Sequence, residues 1–133
     1  MDPTECKYNP EHWWVYPQAD GKAIMGFTAN VQWHIGKVLF VDLRPAGTEV
    51  EKGQKIGEIE GVKALLEIYS PLSVKIVEVN DALVTEANLV NEDPFGAGWL
   101  MKVDVMDLPQ MDLLMSSEEY GKMVDNIAKE NKG

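Results

Sequence analysis

Hydrophobic and polar positions in this chain alternate in short bursts separated by Gly, Pro, Asn and Asp. Residues 8–16 form an aromatic-rich opening that reads as the first arm of a hairpin. Gln18-Ala19-Asp20-Gly21 supplies turn chemistry, and Lys22–Phe27 is the return strand. Thr28 is placed to cap a short helix through Ile35, with Val31 and Ile35 on its core face and Gly36 ending it in the left-handed conformation. Residues 37–43 read as a strand stopped by Pro45 and Gly47. Beyond them lie short strands at 48–50, 54–60, Leu65–Tyr69 and Val74–Val79, with Glu51-Lys52-Gly53 as a turn between the first two. Residues 80–88 are a looser connection, and 98–105 a strand whose alternation starts at Leu100. So many short strands at close spacing predict a mainly β fold, a small barrel or sandwich.

The period changes near the C-terminus. Ser116-Ser117-Glu118-Glu119 fits a capping box, Met115 and Tyr120 fit a hydrophobic staple, and Tyr120, Met123, Val124 and Ile127 share one helical face. A C-terminal helix over about 116–130 is therefore expected to pack on a β body of about 8–105, with the tail after Ala128 frayed.

Composition narrows the class. With 133 residues, 45% of them hydrophobic and 26% charged, the whole chain 1–133 is expected to be one soluble domain with a packed core. No apolar stretch approaches the length of a membrane span, and Met1-Asp2-Pro3-Thr4-Glu5 lacks the basic and apolar regions of a signal peptide, so a cytoplasmic protein is expected. A net charge of -10 disfavours nucleic-acid phosphates and anionic membranes as partners. The lone Cys6 has no cysteine partner in the chain, and His12 and His34 have no evident ligand set, so no metal site is expected. Cys6 reads as a plain free thiol, Trp13 and Trp14 equally well as core aromatics, and His34 as a helix-surface side chain.

The most informative residue is Lys63, in Glu60-Gly61-Val62-Lys63-Ala64 between two strand-like arms. A lysine in a turn is ordinarily a solvated charge. Here Gly61 is expected to allow a tight turn through backbone torsions other residues avoid, and small Ala64 leaves the ammonium open to a modifying enzyme. The turn looks built to present one lysine.

The block 60–64, followed by Tyr69-Ser70-Pro71-Leu72-Ser73 and Val77-Glu78-Val79-Asn80, resembles the lipoyl-attachment region of glycine cleavage H proteins. Gly26-Phe27-Thr28, Phe40-Val41-Asp42-Leu43, the run from Val90 to Leu100 and Glu118-Glu119-Tyr120 follow that family's pattern in order, so the resemblance covers nearly the whole chain. It implies a flattened β-barrel, or barrel-sandwich hybrid, with a short helix in the N-terminal half and another at the C-terminus. It also implies lipoic acid joined by an amide to Lys63, in a carrier that is not itself an enzyme. Val62 and Ala64 beside the lysine point to lipoate rather than biotin, whose carriers place methionines there. The implied partners are a lipoate ligase or lipoyltransferase, glycine decarboxylase, aminomethyltransferase and dihydrolipoamide dehydrogenase. A tethered cofactor of this kind works by effective concentration, visiting several active sites without diffusing away.

The chain departs from the family where the loaded arm's amine is held. Glu11 stands where serine is expected, Trp13 where glutamate is expected, and Glu67 in place of an aspartate; Gly61 also replaces a serine and Val74 a glycine. An indole cannot pair with an amine cation as a carboxylate does. On that ground the altered cradle points to a different cargo: an H-like lipoate-binding protein of sulfur oxidation, serving a heterodisulfide-reductase-like complex. Glycine cleavage is the alternative, and an unlipoylated structural relative a third reading.

Overall fold

The computed structural model describes residues 1–130. Among these described residues nine strands form two antiparallel sheets: β1 (Lys7–Tyr8), β2 (Trp13–Pro17), β3 (Lys22–Phe27), β4 (Val38–Leu43), β5 (Glu49–Val50), β6 (Lys55–Gly61), β7 (Leu65–Tyr69), β8 (Val74–Val79) and β9 (Met101–Val105). The larger sheet runs in the order β1-β2-β3-β9-β8-β5 and the smaller β4-β6-β7. The fold is thus mainly β, as expected. Its two sheets face each other as a sandwich, and the hydrogen-bonded ladder does not close into a barrel.

One apolar core lies between the sheets. Val15, Ala23, Met25, Ile76 and Val103 from the larger sheet meet Ile56, Ile59 and Ile68 from the smaller. These are inward positions of their strands, Ile56 joining Ile59 through a register shift between Lys55 and Gly57, and their removal from water is the main drive for joining the sheets.

The first arm is not continuous. Between β1 and β2 the Asn9 carboxamide oxygen accepts from the backbone N–H of Glu11 (3.2 Å) and of Trp13 (3.0 Å). Pro10 lacks an N–H, and His12 sits at φ 75. Asn9 thereby offers the backbone a local turn in place of a ladder, which splits residues 8–16 into two strands.

After β3, Thr28 accepts from Asn30 N and opens a 3₁₀ turn over Ala29–Val31 that runs into α1 (Gln32–Ile35). Val31 and Ile35 are buried together, as their spacing predicts. Gly36 ends the helix at φ 71 with ψ -147. That is not the left-handed helical conformation expected but an extended one that only glycine adopts readily. It turns the chain directly into β4.

The loose connection after β8 holds a 3₁₀ turn (Asp81–Val84) and α2 (Leu89–Glu92). Asn80 donates its side-chain N–H groups to the carbonyls of Ala97 (2.7 Å) and Trp99 (2.8 Å), seating the loop that leads into β9. Trp14 donates to the carbonyls of Phe27 and Pro94, both at 3.1 Å.

Helix α3 (Ser117–Glu130) begins with the capping box read from sequence: Ser116 N donates to Glu119 Oε1 (3.0 Å) and Glu119 N to Ser116 Oγ (3.1 Å). Those bonds hold the Glu119 carboxyl below its usual range. The helix extends through Glu130, past the expected fraying point at Ala128; residues 131–133 of that expected tail lie outside the described residues. Tyr120 stacks on Tyr8 with ring centroids 4.6 Å apart, in a second cluster that includes Cys6 and Trp14. Among the described residues no helix is long and apolar enough to cross a membrane.

Candidate functional site

Strands β6 and β7 form a hairpin whose last paired residues are Glu60 and Leu65. Gly61 N donates to Ala64 O at 3.0 Å, leaving Val62 and Lys63 at the tip. Both are exposed. The tip does not float: Val62 N donates to Lys37 O (2.9 Å) and Lys63 N to Ile35 O (3.0 Å). Residues 35–37, between α1 and β4, therefore hold the backbone beneath the lysine.

Gly61 is needed here for a different reason than its torsions. It lies outside the positive-φ region, and a Cβ on it would collide with the Ile35 carbonyl oxygen. Close approach of two backbones, not an unusual turn, excludes a side chain.

The surface around the tip is mixed, apolar and polar. A register irregularity between Val38 and Phe40 breaks the alternation of β4, so that Leu39 and Phe40 both stand outside. Phe40 (64% exposed) and Leu65 (58%) flank Glu60 in the last row of the sheet before the tip, and Val62 (62%) stands in the tip itself, while Gln32, Lys37, Asn91 and Glu92 line a hollow that Lys63 shares. Asp42, Glu58 and Glu67 are paired in the next row of the same sheet.

A cleft of about 310 Å³ opens along the free edge of β7. Its walls include Glu11, Trp13, Phe27, Leu66, Glu67 and Tyr69, together with Leu113 and Leu114 from beyond β9. The three residues singled out from the sequence, Glu11, Trp13 and Glu67, thus line one cavity, although 56 positions separate the outer two. They differ in what they offer. Trp13 is buried, and its indole N–H donates to the Tyr69 carbonyl (3.0 Å), so it is a fixed apolar wall. Glu67 accepts from the Tyr69 hydroxyl (2.8 Å) and pairs with Lys55 (3.5 Å), which together hold its carboxyl below the usual range. Glu11 is exposed, and among the described residues no side-chain hydrogen bond engages its carboxylate.

Tyr69 and the Leu113-Leu114 pair were not identified from the sequence as part of a site. Tyr69 reads there as a strand residue and as the first residue of a block in the family resemblance, with no role of its own, and the two leucines sit in a stretch without periodicity. An apolar pair with no helical or strand face to join is the one available hint.

The remaining candidates lie elsewhere. Cys6 is buried, directly after a 3₁₀ turn over Pro3–Glu5 that Asp2 caps; burial pushes its thiol up to about 11, away from reactivity. His34 is exposed on α1. His12 is buried, its Nδ1 within 2.7 Å of the Tyr120 hydroxyl.

Three comparisons bear on the fold and the site together. The family model described as "Glycine cleavage H-protein" matches residues 6–127. The chain is 39% identical over 124 residues to a glycine cleavage system H protein of Carboxydothermus hydrogenoformans, covering 92% of this chain and 94% of that one. It is 44% identical over 114 residues to the protein of that name from Thermotoga maritima, covering 86% and 91%. The crystal structure of a glycine cleavage system H protein from Mycobacterium marinum superposes with a TM-score of 0.79 at 32% identity, over 93% of this chain and 99% of that one.

Proposed function

Since the chain belongs to the glycine cleavage H-protein family, we propose that it is a non-catalytic carrier: Lys63 takes lipoate in amide linkage, and the arm carries the aminomethyl group of glycine between enzymes. The observation that carries this reading is the pairing of an exposed Lys63 on a backbone-held hairpin tip with an apolar cleft beside the same hairpin. When bound, the lipoyl group supplies the redox and thiol chemistry.

The chain's own residues supply position and shelter. The bonds from Val62 and Lys63 to residues 37 and 35 fix where the lysine leaves the surface, so an attaching enzyme meets a preformed loop. Trp13, Phe27, Leu66, Leu113 and Leu114 give the cleft a largely apolar lining that suits a hydrocarbon chain and keeps water from it. Glu67 is already engaged by Tyr69 and Lys55, which makes Glu11 the carboxylate available to an amine cation at the cleft.

The glycine cleavage names of the similar proteins back the alternative over the sulfur-oxidising assignment first preferred. The arrangement of the cleft is compatible with that alternative. Trp13 makes the cleft wall, and a carboxylate is still present at Glu11. The partners on this reading are a lipoate ligase or lipoyltransferase for loading, then glycine decarboxylase, aminomethyltransferase and dihydrolipoamide dehydrogenase.

Two measurements test the reading. Intact mass after incubation with lipoate ligase, lipoate and ATP should rise by one lipoyl increment, mapped by peptide mass to Lys63; an unchanged mass would end the carrier assignment. Turnover of glycine on reconstitution with the three enzymes supports the pathway, and a lipoylated chain that gives none would refute it.

A further inference from the structure

The side chain of Asn91, on α2, makes two hydrogen bonds to one short piece of backbone: its Oδ1 accepts from Val38 N (2.8 Å) and its Nδ2 donates to Gly36 O (3.2 Å). In extended chain the carbonyl of one residue and the N–H two residues on point to the same side. Asn91 therefore satisfies both groups on the outer side of Lys37, the side that faces away from β6. Strand β4 is an edge of its sheet. Its outward groups there would otherwise be left to water. The carboxamide does what a neighbouring strand's peptide would do.

The inner side of the same segment carries the lysine tip. Lys37 O receives Val62 N and Ile35 O receives Lys63 N, while the Gly61 backbone rests against the Ile35 carbonyl. Residues 35–37 are thus clamped between Asn91 on one side and the tip on the other. We propose that Asn91 is a positioning residue for Lys63: by fixing both outward groups of this segment it sets the height and orientation at which the tip is held. This rests on the reading of Lys63 as the attachment lysine. It also gives a physical reason why an asparagine distant in sequence belongs to the same device.

The test compares the unmodified full-length chain with Asn91→Ala and Asn91→Asp. Amide hydrogen exchange is followed residue by residue, and each protein is titrated as substrate for lipoate ligase. In Asn91→Ala the amides of Val62 and Lys63 are expected to exchange about tenfold faster, the factor that one or two lost net hydrogen bonds imply. Amides of the β8–β9 ladder should be unchanged. The KM of the chain as ligase substrate should rise about tenfold, with kcat within about twofold of wild type, because the chemistry at the ammonium is untouched. Asn91→Asp keeps the acceptor for Val38 N and loses the donor to Gly36 O, so intermediate exchange at Val62 and Lys63 is expected. It also serves as the decisive variant if Asn91→Ala does not fold. Exchange at Val62 and Lys63 equal to wild type in either variant overturns the proposal, as does uniform acceleration across both sheets or a fall in kcat with KM unchanged. A wild-type chain that the ligase leaves unmodified would defeat the lipoyl reading and leave the exchange comparison standing.

Discussion

The indole N–H of Trp13 and the backbone carbonyl of Tyr69, 3.0 Å apart, join the start of β2 to the free edge of β7 across the floor of the cleft. One bond thereby satisfies an edge-strand carbonyl and fixes a cleft wall. Trp13→Phe keeps most of the ring volume and removes the donor, leaving a poorly solvated carbonyl at a cost of about 1–2 kcal/mol by urea denaturation. Trp13→Glu would restore the family's carboxylate in name only. At a buried position it places an unpaired charge, so an expected loss of more than about 3 kcal/mol or failure to fold distinguishes it from the Phe variant.

Gly61→Ser would install the residue usual in the family. In this chain the new Cβ meets the Ile35 carbonyl oxygen, so residues 35–37 must move. The expected cost is roughly 1–3 kcal/mol, as for other overpacked sites, with chemical-shift changes centred on Ile35, Gly36 and Lys37. Wild-type stability and unshifted resonances there would show that the contact yields freely.

Lys63→Arg keeps the charge at an exposed tip whose bonds are made by backbone. Stability should stay within about 0.5 kcal/mol of wild type. The guanidinium gives the ligase no primary amine, so the lipoyl mass increment should be lost completely. A variant that still gains the increment would place the attachment site elsewhere.

His12 is held below the ordinary histidine range of about 6.5 by burial first and by neighbouring His34 second. Thr28 and Asn30 meet the same Tyr120 hydroxyl, and Trp33 lies edge-on to the ring; among the described residues no carboxylate contributes to the His12 shift. The native state resists protonation that the unfolded chain accepts. This contribution to stability is therefore complete above about pH 6.5 and is lost as pH falls from there through the lower native value. Thermal melting should show that decline in the wild type. His12→Asn, which tolerates the positive φ, should flatten it. An unchanged slope in the variant would assign the decline to other groups.

Much of the local structure was legible because it depends on neighbours in sequence. The capping box at Ser116 and Glu119, the helix opened by Thr28 and the turn after Pro17 are decided within a few residues, and each forms as its pattern predicts. The break between β1 and β2 was missed because Asn9 competes with the ladder through its side chain, which alternation does not register. The cleft was half legible. Glu11, Trp13 and Glu67 came from a resemblance, whereas Tyr69, Leu113 and Leu114 join them only because β7 has a free edge that these segments reach.

By itself the sequence determined the mainly β architecture and the lysine at a strand-to-strand turn, since periodicity and turn chemistry act over a few residues; the family was legible only through the resemblance of its motifs. Only the tertiary structure decided how that lysine is held. Gly61 is glycine because the Ile35 backbone passes against it, and Asn91 matters because it faces the unpaired edge of β4. Trp13 becomes a wall because the Tyr69 carbonyl lies opposite its indole. Each of these joins positions far apart in the chain through hydrogen bonds or contacts of a few ångströms, and such distances exist only once the two sheets have packed.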